Sequence, residues 1–136
     1  MQQLMSTNIY DVDYTIAIVG SCLKRVNPIC FEKIEEIYDN IYSVCLEETH
    51  INMIITKIAS MIRTGKVKRI VFISVDKSPH CVQLHYIQNE LGKIMDLSKI
   101  EIQNYIVDDN IVEISKEAIS LSKNLKEIEK LIQKGT

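Results

Sequence analysis

The sequence predicts an α/β domain built on a mainly parallel sheet, and three observations carry that prediction. Short runs dense in Val, Ile and Phe, above all residues 67–75 (VKRIVFISV), have the length and composition of strands covered on both faces. Longer segments repeat their apolar residues at helical spacing, as in Ile51, Ile54, Ile55, Ile58, Ala59 and Ile62. The junctions carry cap and turn signals: Asn27-Pro28, Gly65 and Ser78-Pro79.

Residues 14–19 (YTIAIV) read as a buried first strand ending in Gly20-Ser21. Asn27 then caps a helix with Pro28 at its first position, where the missing N–H costs nothing. Ile34, Ile37 and Ile41 supply its apolar stripe, and Asp39-Asn40 stops it. Residues 42–46 form a short second strand, with Cys45 inside it as a small core residue. Thr49 caps the next helix and Gly65 closes it. After the third strand, 67–75, Ser78-Pro79 opens a helix over 82–95 that turns Leu84, Ile87, Leu91 and Ile94 inward. Residues 100–107 make a fourth strand, and Asp108-Asp109-Asn110 turns the chain into a short fifth, 111–114. Ser115 caps one last helix, with Ile119, Leu121, Leu125, Ile128, Leu131 and Ile132 on its buried face.

The order β-α-β-α-β-α-β-β-α implies right-handed crossovers, helix layers on both sides of the sheet and an antiparallel hairpin at one edge. It resembles the three-layer Rossmann-like (flavodoxin-like) architecture as a class, which identifies no function. Residues 1–13 are expected as a polar N-terminal extension and residues 14–136 as a single α/β domain.

Composition removes several function classes. With 16 basic and 18 acidic residues the formal net charge is −2, so no basic field points to nucleic acid. The apolar runs are strand-sized, well short of the roughly 20 residues of a membrane helix. Residues 1–13 lack the basic flank and apolar core of a signal peptide, which leads to the expectation of a cytoplasmic protein. In that setting Cys22, Cys30, Cys45 and Cys81 are expected as thiols or metal ligands rather than disulfides.

In sheets of this kind ligands bind beyond the carboxyl ends of the strands, where the strand order reverses. That edge gathers Gly20-Ser21-Cys22-Leu23-Lys24-Arg25, Glu47-Glu48-Thr49-His50 and Asp76-Lys77-Ser78-Pro79-His80-Cys81. The leading expectation is a metal site of Cys22, Cys30 and Cys81, completed by His85 or else by Cys45 or His80, holding an iron–sulfur cluster or zinc. Cys81 and His85, four apart on an α-helix, would share a face offset from the core stripe. Such a site serves electron transfer, cluster handling or a partner protein, an oxidoreductase or a sulfur-transfer protein. No CxxC pair supports it.

A second reading makes Cys81 a catalytic nucleophile, its thiolate favoured by a helix N-terminus and by His80. A third places an anionic cofactor on Gly20, Ser21, Lys24 and Arg25, although G-x-G-x-x-G and the Walker pattern are both absent. A phosphatase-type loop also fails, because the position six after Cys22 is Pro28 rather than arginine. The non-chemical alternative is a regulatory subunit that docks a partner through the last helix or the Asp108–Asn110 hairpin.

Overall fold

The computed structural model describes residues 1–135; residue 136, the end of the expected domain, lies outside them. Six strands form one sheet: β1 Gln2–Gln3, β2 Thr15–Gly20, β3 Ile41–Val44, β4 Arg69–Val75, β5 Glu101–Val107 and β6 Ile111–Glu113. Their order is β1-β3-β2-β4-β5-β6, with every pair parallel except β5–β6. The central strands read as unbroken apolar runs because each feeds two cores. Ile16 and Ile18 of β2, with Ile70 and Phe72 of β4, belong to one; Ala17, Val19, Val71 and Ile73 belong to the other.

The first core is covered by α3 (Ile51–Arg63), a six-residue 3-10 turn (Cys81–Tyr86) and α4 (Ile87–Ile94). The second is covered by α1 (Leu23–Val26) and α2 (Pro28–Ile37), through Leu23, Cys30, Phe31 and Ile34. This is a single α/β domain of the expected three-layer kind. Cap chemistry explains several boundaries. Asn27 Oδ1 accepts the Cys30 N–H at 3.0 Å with Pro28 at the first helical position. His50, rather than Thr49, caps α3, its Nδ1 accepting the Asn52 N–H at 3.3 Å. Gly65 takes φ 80°, the left-handed value expected of a helix-ending glycine.

Three elements depart from the sequence reading. Residues 1–13, expected as an extension, pack onto the domain: β1 pairs with β3, and Leu4 and Val12 are buried in the first core. The helix expected over 82–95 begins as the 3-10 turn and becomes α-helical only at Ile87. The last helix is two, α5 (Lys116–Ser122) and α6 (Leu125–Gly135). Asn124 makes the break, its Oδ1 accepting the Glu127 N–H at 3.3 Å and capping a fresh helix. The break re-aims the apolar stripe, so that Ile119 is buried while Leu125, Leu131 and Ile132 are exposed. Among the described residues, no helix is long and apolar enough to cross a membrane.

Leu4 tests the role of the N-terminal segment. Leu4→Ala is expected to cost about 2–5 kcal/mol in urea unfolding, the usual range for a buried leucine; an appended extension would give no loss.

Candidate functional site

The chain leaves β2 for the α1/α2 layer and leaves β4 for the opposite one, so the crevice between their carboxyl ends is the point of strand-order reversal. A cavity of about 370 Å³ opens there. After β2 it is lined by Gly20, Ser21, Cys22 and Arg25, and at the end of β3 by Val44, Cys45, Leu46, Glu47 and Glu48. Ser78, His80, Cys81 and Leu84, beyond β4, complete the wall.

Cys81 is the most constrained of these residues. Ser78 Oγ accepts its backbone N–H at 3.2 Å, and its sulfur accepts the Val75 N–H at 3.2 Å. A β-carbon at position 20 would overlap the Cys81 sulfur, so glycine is what lets the 3-10 turn close over the end of β2. Burial pushes the Cys81 thiol up to about 12, opposed by the Val75 N–H. The neighbouring Cys22 and Cys45 thiols act in the same direction as burial. The expected thiolate at a helix N-terminus is therefore not what this position favours: desolvation outweighs the donors, and Cys81 rests as a neutral thiol.

Cys45 lines the cavity as well; the sequence admits it as a possible fourth ligand but favours a small core residue inside the strand. β3 ends at Val44, one residue earlier than needed to enclose it, so Cys45 sits half-buried just past the strand end. The signal was positional: Cys22 and Cys45 both follow closely on their strands at the same edge of the sheet.

The expected ligand quartet is not brought together. Cys22 and Cys81 share the cavity, but Cys30 lies on α2 across the sheet, its thiol donating to the Asp109 carbonyl at 3.7 Å. His85 points into the interior, with Nε2 2.7 Å from Ser74 Oγ and Nδ1 3.0 Å from Asn104 Oδ1. The cause is the 3-10 geometry. At three residues per turn, positions four apart diverge by about 120° instead of the roughly 40° of an α-helix. His85 is thereby turned away from the face that carries Cys81. Among the described residues, no group of three or more His, Cys, Asp or Glu side chains is arranged to hold a metal ion.

The remaining expected residues divide. His80 stands half-exposed at the rim, its Nε2 3.3 Å from Glu47 Oε1. Gly20, Ser21 and Arg25 line the cavity, whereas the Lys24 ammonium lies 5.8 Å from the centre of the Phe31 ring. The Ser21 N–H is already bonded to the Val44 carbonyl at 2.8 Å, and α1 is only four residues long. Little is left of a backbone anion cradle.

Two predictions follow from the Cys81 contacts. Gly20→Ala should cost about 1–3 kcal/mol by overpacking, and Cys81→Ala in the same chain should recover part of that loss. A coupling of at least about 0.5 kcal/mol between the two, from urea denaturation of all four chains, checks it. The raised thiol also has a pH signature. Its folded pKa exceeds the ordinary thiol value of 9.0, so the folded state binds the proton more tightly. Its contribution to stability is full below pH 9 and is lost as pH rises toward 12. Alkaline unfolding midpoints that are unchanged in Cys81→Ala would contradict it.

Comparison with curated proteins and with solved structures gave no match. The family model for the Rossmann-like domain matches residues 12–135. The match spans both layers and every element from β2 onward, and the chain is a member of the Rossmann-like domain family.

Proposed function

We propose that the carboxyl-edge cavity is a thiol centre for a thiophilic cation, zinc or an iron–sulfur cluster, held by Cys22, Cys45 and Cys81. One observation carries the reading: three of the four cysteines, one from each of three adjacent strand ends, line the same cavity. Thiolates select soft and borderline ions. A neutral, desolvated Cys81 beside two further cysteines is what such a centre looks like before loading, because the cation itself deprotonates its ligands. The thiols are not spaced for ligation as they stand, so loading requires their side chains to turn toward one another. His80 is the natural fourth donor. Glu47 backs its ring in the way carboxylates back metal-bound histidines. A reducing, cytoplasmic setting would suit four free thiols, and a partner oxidoreductase or sulfur-transfer protein would suit a centre on an open edge.

The test is metal and acid-labile sulfide content, with the visible spectrum, of untagged protein purified without oxygen and then reconstituted. Stoichiometric loading is expected in the native chain and in Cys30→Ser. Near-complete loss is expected in Cys22→Ser, Cys45→Ser and Cys81→Ser. Failure of the native chain to load zinc or iron and sulfide, or full loading of Cys45→Ser, rejects the assignment.

A second reading draws on the adjacency of Cys22 and Cys81 without a third donor in position. In it the two thiols reduce a partner's disulfide, forming a Cys22–Cys81 bond and releasing two partner thiols. Cys22 would attack, because a thiol near 12 is ionised in only about one molecule in 10⁵ at pH 7. Cys81 would then resolve the mixed disulfide.

A further inference from the structure

Four buried polar side chains outside the cavity close on one another: Ser74 at the end of β4, His85 in the 3-10 turn, Gln88 on α4 and Asn104 on β5. Asn104 Oδ1 accepts from Gln88 Nε2 at 2.7 Å and lies 3.0 Å from His85 Nδ1. Gln88 Nε2 also donates to the His85 carbonyl at 2.8 Å. Since Asn104 offers an oxygen, His85 Nδ1 carries the proton. Nε2 is then left to accept the Ser74 hydroxyl at 2.7 Å. The neutral ring satisfies every group in the network.

The imidazolium does not. The side chains facing His85 from β4, α4 and β5 are the uncharged Ser74, Gln88 and Asn104, and among the described residues no carboxylate offsets a positive charge there. Burial lowers the His85 pKa, with only the Asn104 bond opposing it. The placement connects this ring to the cavity. Ser74 holds His85, and the next residue, Val75, donates its N–H to the Cys81 sulfur. Two consecutive residues of β4 therefore pin the 3-10 turn at both ends.

We propose that His85 is a proton-sensitive latch, whose neutral ring pins the Cys81-bearing turn onto β4 and whose protonation releases it. The latch acts on the position of Cys81 whatever the thiols bind, so it stands independently of the cation assignment. In the open turn His85 titrates near its ordinary value of 6.5, and in the closed turn it resists the proton. The closed form is thus fully stabilised above that value and weakens as pH falls through it. One proton taken up on opening raises the opening equilibrium about tenfold per pH unit, or up to about 30-fold between pH 7.5 and 5.0.

Hydrogen exchange on the full, metal-free chain, read by mass spectrometry and corrected for intrinsic rates, tests the latch. Peptides over 81–88 should lose protection by up to about 30-fold from pH 7.5 to 5.0, while α3 holds its own. In His85→Asn the same peptides should show no such pH response. If that variant does not fold, Ser74→Ala removes the Nε2 partner and should raise exchange of 81–88 at pH 7.5. Protection of 81–88 that is flat with pH in the native chain, a slope that persists in His85→Asn, or exchange unchanged in Ser74→Ala would each overturn the proposal.

Discussion

The Cys81 sulfur packs against the bare backbone of Gly20 while accepting the Val75 N–H, and the carboxyl edge takes its shape from that pair of contacts. Gly20 ends β2 and Val75 ends β4, so a single side chain bridges the two strands between which the sheet order reverses. A bulkier residue at position 20 would lift the 3-10 turn away from the sheet. The cavity, the exposure of the thiols and the approach of His80 to Glu47 would change with it.

The sheet was legible because two-sided burial writes continuous apolar runs. β2 and β4 could be read from composition alone, since alternate residues face different cores and all but the strand-end Thr15, Arg69 and Val75 are buried. Helix starts were legible at Asn27 and Ser115, but not at Thr49, where His50 is the cap, or at Ser78-Pro79, which leads into the 3-10 turn. The C-terminal break was not. Asn124 sits inside an apolar pattern that continues in register past it, and local capping wins over periodicity there. The N-terminal strand was also hidden, because Gln2 and Gln3 contribute backbone pairing rather than apolar side chains; the anchors, Leu4 and Val12, are isolated residues with no periodic pattern.

The site was legible in position and less so in membership. Strand-end arithmetic placed Cys22 and Cys81 together, as the structure does. Cys45 was ranked as a core residue ahead of a ligand because of a boundary difference of a residue or two. Cys30 was gained because a helix start after β2 lies at the right edge in sequence but on the other side of the sheet in space. His85 failed for a subtler reason. The rule for residues four apart holds for α-helices, and nothing in the run Cys81–Tyr86 announces three residues per turn. The structural cause is visible afterwards: the network of His85 with Ser74 and Asn104 is reached only by a turn tight enough to point the ring inward.

The two buried titratable groups of the 3-10 turn, Cys81 and His85, are held neutral by the same cause, yet they respond to opposite conditions. Desolvation raises an acid and lowers a base, so the thiol resists losing its proton and the imidazole resists gaining one. The closed turn is therefore most stable between the pH range in which His85 would charge and that in which Cys81 would ionise. A cation in the cavity would add a third term, compensating the thiolates while leaving His85 untouched on its own side of the turn. Loading would then oppose thiol reprotonation but not the acid release of the latch. Acid would act on such a centre twice, once at the ligands and once at the turn that holds one of them in place.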